Sequence, residues 1–196
     1  MKKTNRIITL TGPSGTGKTT LAKTLLKLDP SIKLIRSYTT RTARPSDLPG
    51  EYACDQKQSD FDLHKSEYLW IITAHGNTYA TREDDVTQAL KSNPLSLMIL
   101  VPKAVAMLRA FAHPDVVSFF ILPPSEAVLQ KRLVERGDDK ESIERRINDG
   151  KKWHDDFVKY NIPYFKIDND IGPRQTAASI HSVAKMIDTD SIKQRN

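Results

Sequence analysis

Near its N-terminus the chain reads Gly12-Pro13-Ser14-Gly15-Thr16-Gly17-Lys18-Thr19. The apolar run Ile7-Ile8-Thr9-Leu10 comes directly before it, which is the strand expected ahead of a phosphate-binding loop of the form G-x-x-x-x-G-K-[ST]. The glycines allow a tight turn with inward-pointing N–H groups, and the positive end of the following helix adds to this anion cradle. The stretch therefore predicts a site for a nucleoside triphosphate.

The last residues of the loop carry side chains with separate predicted tasks. Lys18 is expected to reach the outer phosphates as a point charge. The Thr19 hydroxyl is expected to complete a Mg²⁺ shell made otherwise of water and phosphate oxygens, so Thr19 is the predicted metal ligand. Together with Thr20, residues 12–19 form the predicted triphosphate-binding set.

The composition bounds the class of protein. The 196 residues are 38% hydrophobic and 28% charged, which suits one folded domain. The net charge of +6 is dispersed, without a run of five or more Lys or Arg. Since no RNA- or DNA-binding signature accompanies it, a phosphorylated small molecule is the expected partner, with no nucleic acid. The pattern leaves open whether the chain is a monomer or a homodimer.

The cysteine count and the apolar segments predict a location. The single cysteine, Cys54, excludes an internal disulfide and fits a reducing compartment. The apolar stretch after the basic start is too short for an export signal, and nothing approaches the ~20 apolar residues of a spanning helix. We therefore expect a cytoplasmic protein without a membrane partner.

Strands and helices are predicted to alternate along the chain, which is typical of an α/β fold with a parallel sheet core flanked by helices. The predicted strands are residues 7–10, 33–37, 68–73, 97–101, 117–122 and 164–167. Helical spacing of apolar residues follows the phosphate loop and recurs near residues 86–90, 105–112, 128–133 and 177–187. All 196 residues are expected to form one domain.

Two polar stretches interrupt this alternation. Residues 38–81 are predicted to be a small insertion between core segments 1–37 and 82–196. Residues 132–152 gather arginines, namely Arg132, Arg136, Arg145 and Arg146. From the residues alone this second stretch is either a solvated helix face with i,i+4 ion pairs or an arginine lid over phosphates.

Five motifs in order resemble those of the guanylate kinase family, over residues 7–170. The first is the phosphate loop. Residues 37–44 read S-Y-T-T-R-T-A-R, like the family's S-x-T-T-R-x-x-R, and residues 76–81 read G-N-T-Y-A-T, like G-N-x-Y-G-[ST]. Residues 122–125 and 131–137 read L-P-P-S and K-R-L-V-E-R-G, and residues 167–170 read I-D-N-D. The resemblance implies a P-loop kinase fold with an acceptor-binding insertion and an arginine lid.

The resemblance also implies roles for single residues. Arg41, Arg44, Tyr52 and Tyr79 would hold the acceptor phosphate, since arginine forks match phosphate oxygens. Lys18 and the lid arginines Arg132, Arg136 and Arg146 would neutralise the transferring phosphoryl group, and Asn169 would lie near the adenine or ribose of ATP. The complete implied acceptor set is Ser37, Arg41, Arg44, Asp47, Tyr52, Trp70, Tyr79 and Thr81.

The chain departs from the family pattern where the family reads guanine. Trp70 stands nine residues before Tyr79, where the family has a glutamate that accepts from guanine, and an indole donates but does not accept. Residues 97–104 lack the acid that the family carries after this strand. Asp47 replaces a longer glutamate. The phosphate-holding half of the predicted site is therefore retained, and its guanine-reading half is altered.

The resemblance predicts an ATP-dependent phosphotransferase with ATP and Mg²⁺, moving the γ-phosphoryl group to a nucleoside monophosphate, GMP first. One alternative is a kinase like the ribose 1,5-bisphosphate phosphokinases, which lack the guanine-reading acids, or another kinase whose phosphorylated acceptor carries no guanine. Another is a non-catalytic guanylate kinase-like binding module. The intact phosphate loop disfavours the module, in which that loop decays.

Overall fold

The structure is a computed structural model that describes residues 5–74, 76–135, 137–141, 143–144, 147–148, 159–169 and 172–187. Its strands are β1 (Arg6–Thr11), β2 (Lys33–Leu34), β3 (Ser37–Thr39), β4 (Tyr52–Ala53), β5 (Tyr68–Ala74), β6 (Asn77–Arg82), β7 (Leu95–Ile99), β8 (Val116–Ile121) and β9 (Phe165–Ile167). Its α-helices are α1 (Lys18–Leu28), α2 (Gln58–Leu63), α3 (Glu83–Ser92), α4 (Pro102–Ala112), α5 (Glu126–Glu135) and α6 (Pro173–Met186), and a 3₁₀ turn spans Lys65–Glu67.

The main sheet is parallel, with strand order β2-β7-β1-β8-β9. All residues of β1 and β8 are buried, as expected for strands covered on both faces. Ile8 at the centre pairs with Leu97 on one side and Val117 on the other. The predicted α/β fold with a parallel core is confirmed.

Side chains of β1 alternate between two cores. Ile8 and Leu10 pack with α1 and α6, whose buried residues include Leu25 and Ile180. Ile7 points to the opposite face and packs with α3 and α4. This layering fixes the carboxyl end of β1 against the start of α1, where the phosphate loop lies. Among the described residues, no helix combines the length and apolar character needed to cross a membrane.

A second sheet of order β4-β3-β6-β5 takes its strands from the stretch between Ser37 and Arg82. β5 and β6 form an antiparallel hairpin, β3 pairs antiparallel with β6, and β4 pairs parallel with β3. The prediction of one strand over residues 33–37 was wrong. Leu34 ends a strand of the main sheet and Ser37 begins one of the second sheet, so the chain changes sheets between them.

Trp70 joins the second sheet to the main core. It is 4% exposed and belongs to the cluster that contains Ile7, Val86 and Leu108. The register of the hairpin shifts between Tyr68 and Trp70, which is a bulge. The second sheet is therefore held to the main sheet by the packing of the Trp70 side chain as well as by the covalent connection of the chain.

The predicted lid falls partly within the described residues. α5 carries Arg132, and Leu129 and Leu133 of this helix pack with Ile143 in a small separate core. Arg136, Arg145, Arg146 and residues 149–152 lie outside the described residues.

Candidate active site

The phosphate loop requires glycine for conformational and for steric reasons. Gly15 and Gly17 have φ angles of 84° and 94°, in the region that other residues rarely adopt. A Cβ atom at Gly17 would lie 2.6 Å from Asn169 Nδ2, and one at Gly12 would lie 2.5 Å from the Ile121 carbonyl oxygen. The backbone therefore makes a tight turn between β1 and α1, as an anion-binding loop requires.

Side chains of the loop brace it from within. The buried Thr16 hydroxyl donates to the Pro13 carbonyl at 3.0 Å. Lys18 Nζ donates to the carbonyl oxygens of Gly12 and Pro13, at 2.7 Å each. The ammonium group thus lies across the loop that would enclose the phosphates, and its positive charge suits a polyphosphate.

Asn169 contacts the loop from the chain that follows β9. Its Nδ2 donates to the Thr16 carbonyl at 3.1 Å. The sequence resemblance implied that Asn169 lies near the adenine or ribose of ATP. The motif at residues 167–170 pointed to this residue but did not indicate its hydrogen bond to Thr16. In the structure Asn169 supports the backbone of the phosphate loop.

A cleft of about 710 Å³ separates the loop from the second sheet. Thr19, Thr20 and Ser14 line it on the loop side, and Arg132 of α5 borders it. The structure thus brings predicted donor and acceptor residues to one cleft. The residues on the opposite wall are Arg41, Arg44, Asp47, Glu51, Tyr52 and Tyr79.

Arg41 is fixed before any ligand arrives. Both oxygens of Asp47 accept from its guanidinium, at 3.0 and 3.1 Å, and Nη1 also donates to the Thr42 carbonyl at 2.7 Å. Its Cζ lies 4.8 Å from the centre of the Tyr52 ring. Burial opposes the charge, but the Asp47 carboxylate outweighs it and raises the pKa of Arg41. The cleft therefore presents a permanent cation.

Glu51 and Tyr52 complete this wall. Burial raises the pKa of Glu51, whose Oε2 accepts the Leu48 N–H at 3.0 Å. Burial, together with the neighbouring Glu51 carboxylate, raises the pKa of Tyr52 far above its usual value. Tyr52 therefore remains a neutral hydroxyl, which suits a hydrogen-bond donor to phosphate. Sequence reasoning missed Glu51, and its only signal was its place beside Tyr52.

A second cavity, of about 210 Å³, continues from the cleft between the two sheets. Its polar end is formed by Lys18, Arg44, Tyr52 and Tyr79. Ser37 also lines it, and the Ser37 Oγ lies 3.2 Å from Thr81 Oγ1. The other end is apolar, with walls made by Trp70, Ile72, Ala74, Ile99, Leu100, Val101 and Ala104.

Among the described residues of the cleft, few side chains are suited to bind Mg²⁺. Thr19 lines the cleft beside Lys18. Within the part of the chain that the structure describes, no group of three or more His, Cys, Asp or Glu side chains could hold a metal ion. A hydroxyl beside an anion cradle nevertheless fits a hard cation that keeps most of its water and is bound through phosphate oxygens.

Comparison with known proteins agrees with this arrangement. Residues 4–170 match the family model described as guanylate kinase. The chain belongs to the guanylate kinase family. The guanylate kinase of Chelativorans sp. (strain BNC1) is 36% identical over 163 residues, which are 79% of this chain and 75% of that protein. The guanylate kinase of Rhodopseudomonas palustris (strain BisB18) is 32% identical over 188 residues, 94% of this chain and 84% of the relative.

A solved structure supports the fold separately. The crystal structure of guanylate kinase from Anaplasma phagocytophilum superposes with a TM-score of 0.69, covering 96% of this chain and 90% of that one. Because the two sequences are only 22% identical, this likeness supports the fold alone. Both the predicted family and the predicted P-loop kinase fold are confirmed.

Proposed function

We propose that this chain is an ATP-dependent phosphotransferase that moves the γ-phosphoryl group of ATP to the phosphate of a nucleoside monophosphate, with GMP as acceptor. One observation carries the proposal. Two anion-binding walls face each other across one cleft, the phosphate loop with Lys18 on one side and Arg41, Arg44 and Tyr79 on the other. Membership in the guanylate kinase family supports the same reaction.

The donor side holds a triphosphate by geometry and charge. The N–H groups of the loop and the N-terminus of α1 bind the phosphates, and Lys18 contributes a point charge. When bound with ATP, Mg²⁺ would be held by Thr19 and would neutralise charge on the phosphate oxygens. Asn169 keeps the loop backbone in place through the Thr16 carbonyl.

The acceptor side holds a second phosphate in line with the first. Arg41 and Arg44, which line the cleft, would donate to its oxygens, and Tyr52 and Tyr79 would offer their hydroxyls. The Asp47 contact leaves Arg41 little freedom, so less side-chain entropy is lost when the acceptor binds.

Transfer requires no general base, because the attacking acceptor phosphate is already an anion. Its oxygen forms a bond to the γ-phosphorus while the bond to the β–γ bridging oxygen breaks and ADP leaves. Negative charge spreads over the equatorial oxygens, so positioning and neutralisation supply most of the catalysis. Lys18 and Arg132 are proposed to neutralise that charge, with Arg136 and Arg146, which lie outside the described residues.

We also propose the roles that the sequence resemblance implies for two segments of the chain. Residues 38–81 act as the acceptor-binding unit of the single domain, and residues 132–152 act as the lid. The dispersed positive charge supports a small-molecule acceptor rather than nucleic acid. The single, unpaired Cys54 suits a reducing cytoplasm.

The two alternative functions are less well supported. The intact geometry of the loop around Lys18 argues against a non-catalytic binding module. The guanylate kinases matched over most of the chain argue for a nucleotide over a ribose bisphosphate.

An ADP-release assay with ATP and Mg²⁺ tests the proposal. We expect turnover with GMP above that with ribose 1,5-bisphosphate, and none with GMP after Lys18→Ala. The exposed Lys27→Ala on the same helix is the matched control and should keep full activity. Turnover with ribose 1,5-bisphosphate alone, or unchanged activity in Lys18→Ala, would overturn the assignment.

A further inference from the structure

We infer that this enzyme selects its acceptor by the phosphate and by the shape of the base, with little discrimination for the hydrogen-bonding edge of guanine. The acceptors in question are the purine nucleoside monophosphates as a class, GMP, IMP and AMP. The inference rests on the proposed function, since it concerns the acceptor cavity of that same site.

The cavity of about 210 Å³ has two chemically different ends. Lys18, Arg44 and Tyr79 surround one end, and the other end is apolar. A molecule that fits has a phosphate at one side and a flat, weakly polar ring at the other. A nucleoside monophosphate has this shape, and the ring would lie between Trp70 and the residues after β7.

Trp70 determines the chemistry of the ring end. Its side chain is 4% exposed and fixed by packing with Ile72 and Ala104. Its indole can donate one hydrogen bond and offers an aromatic surface, but it has no acceptor for the N1–H and 2-amino donors of guanine. The bulge at this position and the pairing with Thr81 hold the indole in the wall of the cavity.

The two carboxylates of the adjoining cleft, Asp47 and Glu51, lie on the wall proposed to hold the acceptor phosphate. Asp47 is occupied by both nitrogens of the Arg41 fork and by the Arg44 N–H at 2.8 Å. Glu51 accepts from the Leu48 N–H and lies beside Tyr52. Both line the cleft next to the phosphate loop. Among the described residues that line the apolar cavity, none is an Asp or a Glu.

Apart from the phosphate loop, Arg44 and the two tyrosines, the polar side chain that lines the cavity is Ser37, whose Oγ lies 3.2 Å from Oγ1 of the fully buried Thr81. A hydroxyl both donates and accepts, so Ser37 can meet the O6 of guanine or the 6-amino group of adenine alike. One hydrogen bond between neutral groups favours one base over another by about tenfold at most. In contrast, a site built to hydrogen-bond a substrate N–H disfavours an analogue that lacks this group by about 10⁴–10⁵-fold. The preference for guanine should therefore be small.

The test compares GMP, IMP and AMP as acceptors of the purified full chain with ATP and Mg²⁺. IMP differs from GMP by the 2-amino group alone. We expect kcat/KM values for the three to lie within about thirtyfold of one another, and their dissociation constants by calorimetry to follow the same order. A preference for GMP over both others beyond about thirtyfold would overturn the inference and leave the proposed function standing. Absence of binding and turnover with every nucleotide would overturn the proposed function itself.

Variants at Trp70 test the assigned residue. Trp70→Glu introduces a carboxylate acceptor, and Trp70→Gln is its neutral match of equal length. We expect the GMP:IMP ratio of kcat/KM to be at least tenfold higher in Trp70→Glu than in Trp70→Gln, and equal ratios would overturn the role of this position. Since Trp70 is a core residue, unfolding of the variants is followed by circular dichroism, and the comparison of nucleotides on the unmutated chain stands without them.

Discussion

The Asp47 carboxylate holds the Arg41 guanidinium through both of its oxygens, at 3.0 Å to Nη1 and 3.1 Å to Nη2. The side chain of Arg41 is 7% exposed and that of Asp47 is 19% exposed, so water screens the pair only weakly. Asp47 also accepts the backbone N–H of Arg44 at 2.8 Å, so one carboxylate contacts both arginines of the proposed acceptor wall. Asp47 thus orients the Arg41 guanidinium and holds the backbone at Arg44.

Replacing Asp47 by Asn should weaken acceptor binding more than ATP binding. The amide cannot accept through two oxygens, so the Arg41 fork loses its fixed orientation. We expect the KM for GMP to rise about tenfold, the KM for ATP to change less than twofold, and the free energy of unfolding to fall by about 1.5–3 kcal/mol. Steady-state kinetics with each substrate varied in turn, together with urea unfolding, measure these effects.

Asp62→Asn is the matched control, because this exposed residue of α2 is not among the residues that line the cleft. It should leave both KM values unchanged. If Asp47→Asn raised the two KM values equally, the carboxylate would act on the whole cleft rather than on the acceptor wall.

Stability at acidic pH should depend on Asp29, where α1 ends. Its Oδ2 lies 2.8 Å from His181 Nε2 and 3.2 Å from Lys185 Nζ, both on α6, and the Ser31 hydroxyl donates to its Oδ1 at 2.6 Å. The hydrogen bonds from Ser31 and His181 hold the pKa of this carboxyl well below its usual value. A carboxyl with a lower pKa in the folded chain stabilises it above the unfolded pKa of about 3.9, and this contribution is lost as the pH falls below that value.

Asp29→Asn should therefore cost about 1 kcal/mol of unfolding free energy at pH 7, and the cost should shrink between pH 5 and pH 3. Urea unfolding of the two proteins across this range measures the difference. A difference that stayed constant from pH 7 to pH 3 would contradict the assigned linkage.

The sequence predicted the parts of the site whose chemistry is local. The phosphate loop is recognised because Gly12 and Gly17 act through local backbone conformation, and Lys18 acts through its charge at the first residue of α1. The second sheet was harder, since β4 is two residues long and β6 carries polar residues without a clear alternation. The chain was expected to keep one strand over 33–37, and a change of sheet between Leu34 and Ser37 has no signal in strand propensity.

Hydrogen bonds made by side chains formed the other gap. Asp47 is six residues from Arg41, yet nothing in the sequence indicated that its carboxylate would face the guanidinium. Asn169 reaches Thr16 across 153 positions, and only the packing of β9 beside β8 brings the two together. The apolar character of the cavity was partly predictable, because Trp70 replaces a carboxylate in the family pattern.

Asn169→Ala should weaken the binding of ATP without affecting the acceptor. The change removes the hydrogen bond from Nδ2 to the Thr16 carbonyl, so the phosphate loop loses a support. We expect the dissociation constant for ATP to rise about threefold to tenfold, in line with one lost hydrogen bond of 0.5–1.5 kcal/mol. Calorimetry with a non-hydrolysable ATP analogue measures it, and GMP binding measured alone serves as the internal control. Equal weakening of ATP and GMP binding would show that Asn169 contributes to the general stability of the fold rather than to the phosphate loop in particular.

Gly17→Ala should weaken ATP binding at the loop, and Gly50→Ala provides a control with the same backbone cost. Both glycines have positive φ angles, 94° and 83°, so each alanine should cost about 1–2 kcal/mol of stability. The difference between them is steric, because a Cβ at Gly17 meets Asn169 Nδ2 at 2.6 Å whereas a Cβ at Gly50 meets nothing within 4 Å. We expect the dissociation constant for ATP to rise about threefold to tenfold in Gly17→Ala, as in Asn169→Ala, because the new Cβ displaces the Asn169 amide, and to stay within twofold in Gly50→Ala. If both variants lost ATP binding equally, general destabilisation would explain the loss, and the close approach of Asn169 to the loop would have no part in it.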